Sequence, residues 1–573
     1  MTVTLTGFGG VGEIGGNAFL LEAPGLRVML DVGKRFGAAQ TMGGEDRFSP
    51  AAFERRPGWN DYFDAFQKPR AHMAAADLGA LDLIPWRGAL PRLYRPDLGG
   101  VSGDSPVDFA LVSHAHVDHC GLIGLLRRDL PIVTSPLSLA TLRSVEATGV
   151  GGWETDYTDL RVRGVLQRNK KGGLGDVRYS DDDPRVERPF VTSPQAVTHG
   201  KWALTFHAVD HSIQGAGAFV LTDGDTKVVY TGDFRRHGSD PAKTAAFLKA
   251  AAEADVLIME GTRVSDHGRH GHGTDRESDV EHEVRALVEA HEAAGGPPFV
   301  GVGYPPRDLD RLRSLHRVAA SVGRRLLISA KQAHLLSALR EAGCEEAPDW
   351  RTSPHLGVLV RGGSHLLRRP GEMPIADKQR LAIDFIQVSP AEWLDLASRD
   401  LARWEFELLG GRDEYQGRDR VITQPVPFGD PHVVTAAEVA RDPGGYLVSL
   451  TLFNMTDLFE VFPDRSAAGG LYIHSQTQPH NDDMEMDQFR LHRWLRAFNL
   501  NAPDHEPRRT HVSGHLAQED IQEILETLRP KTLVPIHSER PDLTGDRYER
   551  LCRAQGLAHR AVVPRWGHPE RVA

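Results

Sequence analysis

The chain has 573 residues, 40% of them apolar and 25% charged, with a formal net charge of −11. These proportions describe an ordinary globular protein and exclude a collagen-like, fibrous or wholly disordered chain. No run of about 18 apolar residues occurs, so no membrane span is expected, and the length allows about three or four domains. The start, "MTVTLTGFGG", has neither the basic end nor the apolar run of a secretory signal. Three scattered cysteines, Cys120, Cys344 and Cys552, offer no disulfide framework and fit a reducing cytoplasm. The acidic balance argues mildly against nucleic acid, which usually demands a basic footprint. The 27 histidines are the unusual count, and their spacing carries the information.

The first motif is "GFGGVGEIGGN", Gly7 to Asn17. It matches G-x-G-x-x-G from Gly7 and again from Gly10, and Asp31 follows at the distance of a ribose-binding acid. A dinucleotide loop must follow a strand and open a helix. "VTLTGF" can be the strand, but Pro24 and Gly25 break the chain before any helix of ten residues fits. Two strands joined by the Ala23–Leu26 turn fit better. The loop then reads as a glycine-rich turn between strands, and Asp31 ends the second strand of that pair. Further on, the aromatic and basic stretch "RRPGWNDYFDAFQKPR" is read as packing.

The strongest signal is "FALVSHAHVDHCGLIGLL". An apolar strand, Phe109 to Val112, runs into His114, His116, Asp118 and His119, and a helix-like apolar segment follows. Four metal-binding groups thus share one short loop. His114 and His116 can face one cation, and Asp118 and His119 a second. Imidazole with carboxylate suits zinc better than manganese. Cys120 is read as a small residue packing behind the loop.

This stretch resembles the metallo-β-lactamase superfamily. The resemblance implies further ligands downstream, and two stand at the right places. His211 lies between two strand-like runs in "LTFHAVDHSIQGAGAFVL", where His207 is read as packing within its strand. Asp233 ends the strand of "KVVYTGDFRR", in the place of a carboxylate that bridges two cations. The resemblance also makes Asp31 a support that holds the histidine loop by hydrogen bonds.

A minimal hydrolase of this fold would finish soon after Asp233, yet 340 residues remain. "DVLIMEGT" is strand-like and ends in Glu260-Gly261-Thr262. Helix and strand patterns then alternate: "DVEHEVRALVEAHEAAG", "PPFVGVGY", "DLDRLRSLHRVAASVG", "RRLLISA" and "AHLLSALREAG", with glycines placed to cap helices. Residues 345–440 are patterned less clearly. "YLVSLT", helical "LFNMTDLFEVF" and "GLYIHSQT" complete what reads as an inserted doubly wound domain. "DHGRHGHG" (Asp266–Gly273) is read as a loop.

"RRTHVSGHLAQEDIQEILETLRPKTLVPIHSERP" closes the pattern. It is similar to the β-CASP nucleases, with Glu260, His515 and His537 at their three motifs, and "GGVGEIGGN" and "HVSGH…LVPIHSE" resemble the RNase J type. The expected fold is α/β: a metallo-β-lactamase αββα sandwich over 1–260 and 501–573, with an inserted doubly wound α/β (β-CASP) domain over 261–500.

The resemblance implies a site with roles. His114, His116 and His211 hold one zinc ion. Asp118, His119 and His537 hold a second, with Asp233 between them; manganese or magnesium are the other activators. Catalysis falls to Asp118, Asp233, His515 and Glu260, with His515 as the acid for the leaving alcohol. His511, Ser513 and the Gly514 amide hold a neighbouring phosphate, as helix N-termini favour anions. Histidine at position 537 favours RNA over DNA, through a local basic groove with Arg235, Arg236, Arg361, Arg368, Arg369, Arg508 and Arg509 as candidates.

The implied activity is a zinc-dependent ribonuclease of 5′→3′ exonuclease mode, with endonuclease action beside it, in the cytoplasm and without a membrane. The open rivals are a DNA nuclease of the same group, a small-molecule ester or lactone hydrolase, and a non-catalytic binding subunit. The chain ends 36 residues after His537, without the further domain of bacterial RNase J. That counts against a tetramer and leaves a homodimer open.

Overall fold

The computed structural model describes residues 2–36, 58–59, 72–149, 151–160, 167–168, 174–175, 186–193, 197–264, 276–360, 401–416, 419–427, 430–462, 464, 468–477, 479, 482–502 and 510–573. The chain divides into two compact units. The first is Met1–His272 with His480–Asp482 and Ser513–Ala573, and the second is Gly273–Pro479 with Asp483–Val512.

The first unit holds two seven-stranded sheets. One runs, in spatial order, Phe190–Thr192, Ile132–Thr134, Phe109–Leu111, Leu26–Leu30, Ala18–Ala23, Thr4–Gly9 and Pro569–Arg571. The other runs Val197–His199, Trp202–Ala208, Gly217–Thr222, Lys227–Tyr230, Val256–Glu260, Thr532–Ile536 and Arg560–Ala561. Alternation along each strand explains why they stack. Leu21, Val28 and Leu30 share one buried cluster with Phe219, Tyr230, Ile258 and Ile536. Their neighbours Leu20, Met29, Val229, Leu257 and Met259 join a second cluster with Phe247, Ile521, Ile524 and Leu525 of the covering helices. Those helices are Pro241–Ala251 and Gln518–Leu528. Strands buried on both faces read as continuous apolar runs, and the arrangement is the expected αββα sandwich.

The glycine stretch folds as read. Thr4–Gly9 pairs antiparallel with Ala18–Ala23, which pairs with Leu26–Leu30. No helix lies between Gly16 and Asp31. The loop is anchored instead by Glu13, whose carboxylate accepts from Arg35 Nε and Nη2, each at 2.9 Å, in a buried bidentate pair.

The second unit carries a seven-stranded sheet ordered Val433–Thr435, Leu356–Val360, Arg325–Ser329, Tyr446–Ser449, Val300–Gly303, Gly470–His474 and Leu500–Asn501. Every pairing in it is parallel. Helices Glu277–Ala293, Leu309–Ser321 and Ala330–Glu341 alternate with its strands. Each is followed by a glycine in the left-handed region, Gly295, Gly323 and Gly343, which ends the helix where a side chain would be strained.

By compactness the units divide the chain at 272/273 and 512/513, and Leu500–Asn501 pairs with Gly470–His474 in the second unit's sheet. Two expectations change. The apolar segment after the histidine loop is not one helix. It is a single turn, Val117–Cys120, then a 3₁₀ turn, Ile123–Leu125. Gly124 lies so close to Trp153 that a Cβ would sit 1.8 Å from its carbonyl oxygen, so tertiary packing overrides the helical pattern. "LFNMTDLFEVF" is likewise a 3₁₀ stretch, Leu452–Asp457, kinked at Asn454, before a short helix, Leu458–Val461.

Candidate metal centre

All the residues of the expected centre lie in the first unit, each just beyond a strand or in the loop that follows one. Phe109–Leu111 leads into His114, His116, Asp118 and His119. Lys227–Tyr230 leads to Asp233, Val256–Glu260 ends on Glu260, and Thr532–Ile536 leads to His537. Three of these exits use left-handed backbone: Asp31 (φ 57°), Gly232 (φ 55°) and His537 (φ 49°). For Asp31 and His537 that conformation costs about 1–3 kcal/mol each, and such cost collects at functional sites.

The groups converge. One donor atom each from His114, His116 and His211 lie within 4.8 Å of one another, as do those of Asp118, His119, Asp233 and His537, and those of Asp233, Glu260, His515 and His537. His116 Nδ1 is 3.0 Å from His114 Nε2 and 3.2 Å from His211 Nε2. Asp233 Oδ2 sits between the sets, 3.0 Å from His119 Nε2, 3.5 Å from His537 Nε2 and 3.9 Å from His114 Nε2.

The outer nitrogens of four of these rings are tied down. His119 Nδ1 is 2.7 Å from the Asp31 carboxylate, which also accepts from Ser113 N, Ser113 Oγ and Tyr230 OH. Since the Ser113 hydroxyl donates to Asp31, it accepts from His114 Nδ1 at 3.0 Å. His211 Nδ1 donates to the Gly514 carbonyl at 2.6 Å, and His537 Nδ1 meets Thr262 Oγ1 at 2.8 Å. A proton on each of these outer nitrogens leaves the inward nitrogen as the one a metal would take.

Charge divides the site. Burial, then the neighbouring imidazoles His119 and His116, hold His114 well below the usual histidine range; burial and His116 do the same for His211. Both rings are therefore neutral. Burial opposes the charged form of His119, but Asp233, Asp118 and Asp31 outweigh it and hold the ring well above that range. Burial likewise opposes ionised Asp118 and Asp233, yet His119 and His537 keep both carboxyls well below the usual range. Burial would lower His515 too, but Glu260, with Nδ1 to Oε2 at 3.2 Å, and then Asp233 push it up to about 9.

This donor set fits divalent cations. His119 Nε2 and Asp233 Oδ2 are buried against each other at 3.0 Å as an ion pair, and Asp233 Oδ1 is buried without a hydrogen-bond partner. Buried polar atoms rarely stay so, and a cation between them satisfies all three. Five imidazoles with two carboxylates match zinc.

Other expectations fare differently. Arg235 is no groove residue: it is fully buried, paired with Asp210 at 3.0 Å and donating to the Ser513 carbonyl. Arg236 pairs with Glu523 and Asp520. Arg361, Arg368, Arg369, Arg508, Arg509 and "DHGRHGHG" lie outside the described residues. Helix Gln518–Leu528 begins after the His511–His515 stretch, so Ser513 and Gly514 are not at a helix N-terminus. Ser513 Oγ accepts from His515 N at 3.2 Å. His511 belongs to the second unit. His207 bonds Thr205 within its strand, Cys120 is buried in the core, and Trp59, from the aromatic stretch, packs on Trp153. Sequence reading missed Ser113, Tyr230 and Thr262. Their one available signal is position, since each stands at or next to a strand end.

Among protein families, residues 80–302 match a beta-lactamase superfamily domain, and residues 508–556 match a Zn-dependent metallo-hydrolase RNA specificity domain. The chain is 22% identical over 309 residues to the transcription termination factor FttA of Methanosarcina mazei, a match covering 52% of this chain and 37% of that protein. It is 23% identical over 269 residues to ribonuclease J of Mycolicibacterium smegmatis, covering 45% and 40%. An RNase J-like protein of Methanocaldococcus jannaschii is 27% identical over 172 residues, covering 29% and 35%. The matches thus span well under half the length of these relatives. A solved structure of a protein of unknown function from Enterococcus faecalis V583 aligns over 100% of both chains with a TM-score of 0.58 at 18% identity, a likeness of fold.

Proposed function

We propose that the chain, whose matches are to the metallo-β-lactamase superfamily and to relatives of the β-CASP, RNase J type, is a metal-dependent nuclease that hydrolyses RNA phosphodiester bonds. The observation that carries this reading is the convergence of six ligand-type groups on Asp233, with four of the imidazoles held by partners on their outer nitrogens. The RNA specificity domain over 508–556 supports RNA rather than DNA as the substrate.

In this reading His114, His116 and His211 would hold one cation and Asp118, His119 and His537 a second, with Asp233 available to both sets. When bound, the cations supply Lewis acidity and lower the pKa of water, so that a nucleophile is available at neutral pH. Asp118 and Asp233, held ionised, would accept hydrogen bonds from an attacking water and orient it toward phosphorus. His515 gives its proton to the leaving oxygen, and Glu260 keeps it protonated. Ser513 and the Gly514 amide contact the adjoining phosphate. The cations are zinc, and cleavage proceeds from a 5′ end, in the cytoplasm. No helix among the described residues is long and apolar enough to cross a membrane.

The test is cleavage of end-labelled RNA and DNA bearing 5′-phosphate, 5′-triphosphate or 5′-hydroxyl ends. Mononucleotide release from 5′-phosphorylated RNA is expected. Preference for DNA moves the protein to the DNA branch. Cleavage of neither, with turnover of a lactone or thioester, overturns the nuclease reading.

A further inference from the structure

Thr262 stands two residues beyond Glu260, where strand Val256–Glu260 ends. Its hydroxyl has one proton and four close neighbours. Oγ1 lies 2.7 Å from Glu260 Oε2, 2.8 Å from His537 Nδ1, 3.2 Å from His515 Nδ1 and 3.3 Å from the His537 carbonyl. The question is which neighbour receives the proton.

Glu260 answers it. Its side chain is fully buried. Oε1 accepts from Phe234 N at 3.1 Å, and Oε2 accepts from Thr262 N at 3.3 Å. A carboxylate that receives donors on both oxygens is an acceptor throughout. The hydroxyl proton therefore goes to Oε2, along the shortest of the four contacts. The oxygen of Thr262 is left with lone pairs only, and both imidazoles must approach it with Nδ1–H. For His537 that fixes the tautomer. Its Nε2 then faces Asp118 Oδ2 at 3.3 Å and Asp233 Oδ2 at 3.5 Å, as the nitrogen whose lone pair a cation there would take. For His515, Nδ1–H is shared between Thr262 and Glu260, which leaves Nε2 as the nitrogen open to a substrate.

We propose that Thr262 is a positioning residue: it passes its only proton to Glu260 and accepts from His537 and His515, so that one hydroxyl orients both a cation ligand and the leaving-group acid. This rests on the metal-centre reading above. It parallels Asp31 at His119, but with a neutral acceptor that adds no charge to the site. Serine keeps the hydroxyl. Valine keeps the shape and loses it, leaving His537 without an acceptor and free to adopt the wrong tautomer.

The experiment is competitive titration of zinc into metal-stripped wild type, Thr262→Val and Thr262→Ser, with circular dichroism to confirm folding. Wild type is expected to bind two zinc ions. Thr262→Val should bind one as wild type does, through the three-histidine set, and the second about 10–100-fold more weakly, the usual size of such outer hydrogen bonds. Thr262→Ser should restore the second affinity. Wild type that binds no zinc sinks the metal-centre reading itself. Two sites of wild-type affinity in Thr262→Val leave that reading standing and overturn the role of Thr262. A second measurement needs no variant. Long-range ¹H–¹⁵N correlation on the zinc-loaded wild type should find the His537 proton on Nδ1, and a proton on Nε2 overturns the inference.

Discussion

Asp31→Asn changes one atom at the best-connected carboxylate of the site. Oδ1 accepts from Ser113 N at 2.7 Å, while Oδ2 accepts from Ser113 Oγ at 2.8 Å, His119 Nδ1 at 2.7 Å and Tyr230 OH at 2.5 Å. An amide offers one acceptor where four donors converge. If its NH₂ replaces Oδ1, the buried Ser113 amide proton has no acceptor. If it replaces Oδ2, the two hydroxyls can rotate, but His119 must move its proton to Nε2, the nitrogen that faces Asp233. One unsatisfied buried donor costs about 1–3 kcal/mol. Loss of the histidine's outer partner weakens a metal by about 10–100-fold, which is about 1.4–2.8 kcal/mol at about 1.4 kcal/mol per tenfold. Asparagine tolerates the left-handed backbone at this position, so the change isolates the carboxylate, as alanine would not. The assay pairs urea unfolding of the metal-free protein with zinc competition. A folded Asp31→Asn protein with wild-type zinc affinity refutes the reasoning.

Gly232→Ala puts a Cβ 2.6 Å from that of Ser113 on a backbone at φ 55°; the left-handed backbone alone costs about 1–3 kcal/mol, so a lowered melting temperature and weakened zinc binding are expected, read by calorimetry. Glu13→Ala leaves buried Arg35 unpaired and should destabilise by about 3–5 kcal/mol; Glu13→Ala with Arg35→Met should recover part of it, and chemical denaturation of the two variants decides. Single-turnover cleavage against pH tests His515. Below about 9 the ring is protonated, so the rate should fall on the alkaline side; bound cations pull that limb below 9, and Glu260→Gln pulls it lower still. A limb that does not move in Glu260→Gln removes Glu260 from that role.

Much of the centre was legible because ligands must stand where strands end. The spacing of His114, His116, Asp118 and His119 needs no tertiary knowledge, and the absence of a helix before Asp31 follows from Pro24 and Gly25. What was not legible depends on distant partners. Tyr230 is 199 positions from Asp31, and Thr262 is 275 from His537, so no local pattern joins them. Arg235 was misread because a buried strut and a surface cation look alike in sequence; only Asp210 in space separates them. The apolar run after His119 carried a helical look, but Gly124 is pressed against Trp153 and packing cut the helix short. Ser513 looked like a helix start, whereas the helix waits until Gln518.

The most direct measurement strips the protein with a chelator and returns zinc in known equivalents while cleavage of 5′-phosphorylated, end-labelled RNA is followed. Cleavage should be absent in the stripped protein, rise with added zinc and level off near two equivalents per chain, and Asp118→Ala should stay inactive throughout. RNA cleavage that persists in the stripped protein, or that is unchanged in Asp118→Ala, would contradict the account.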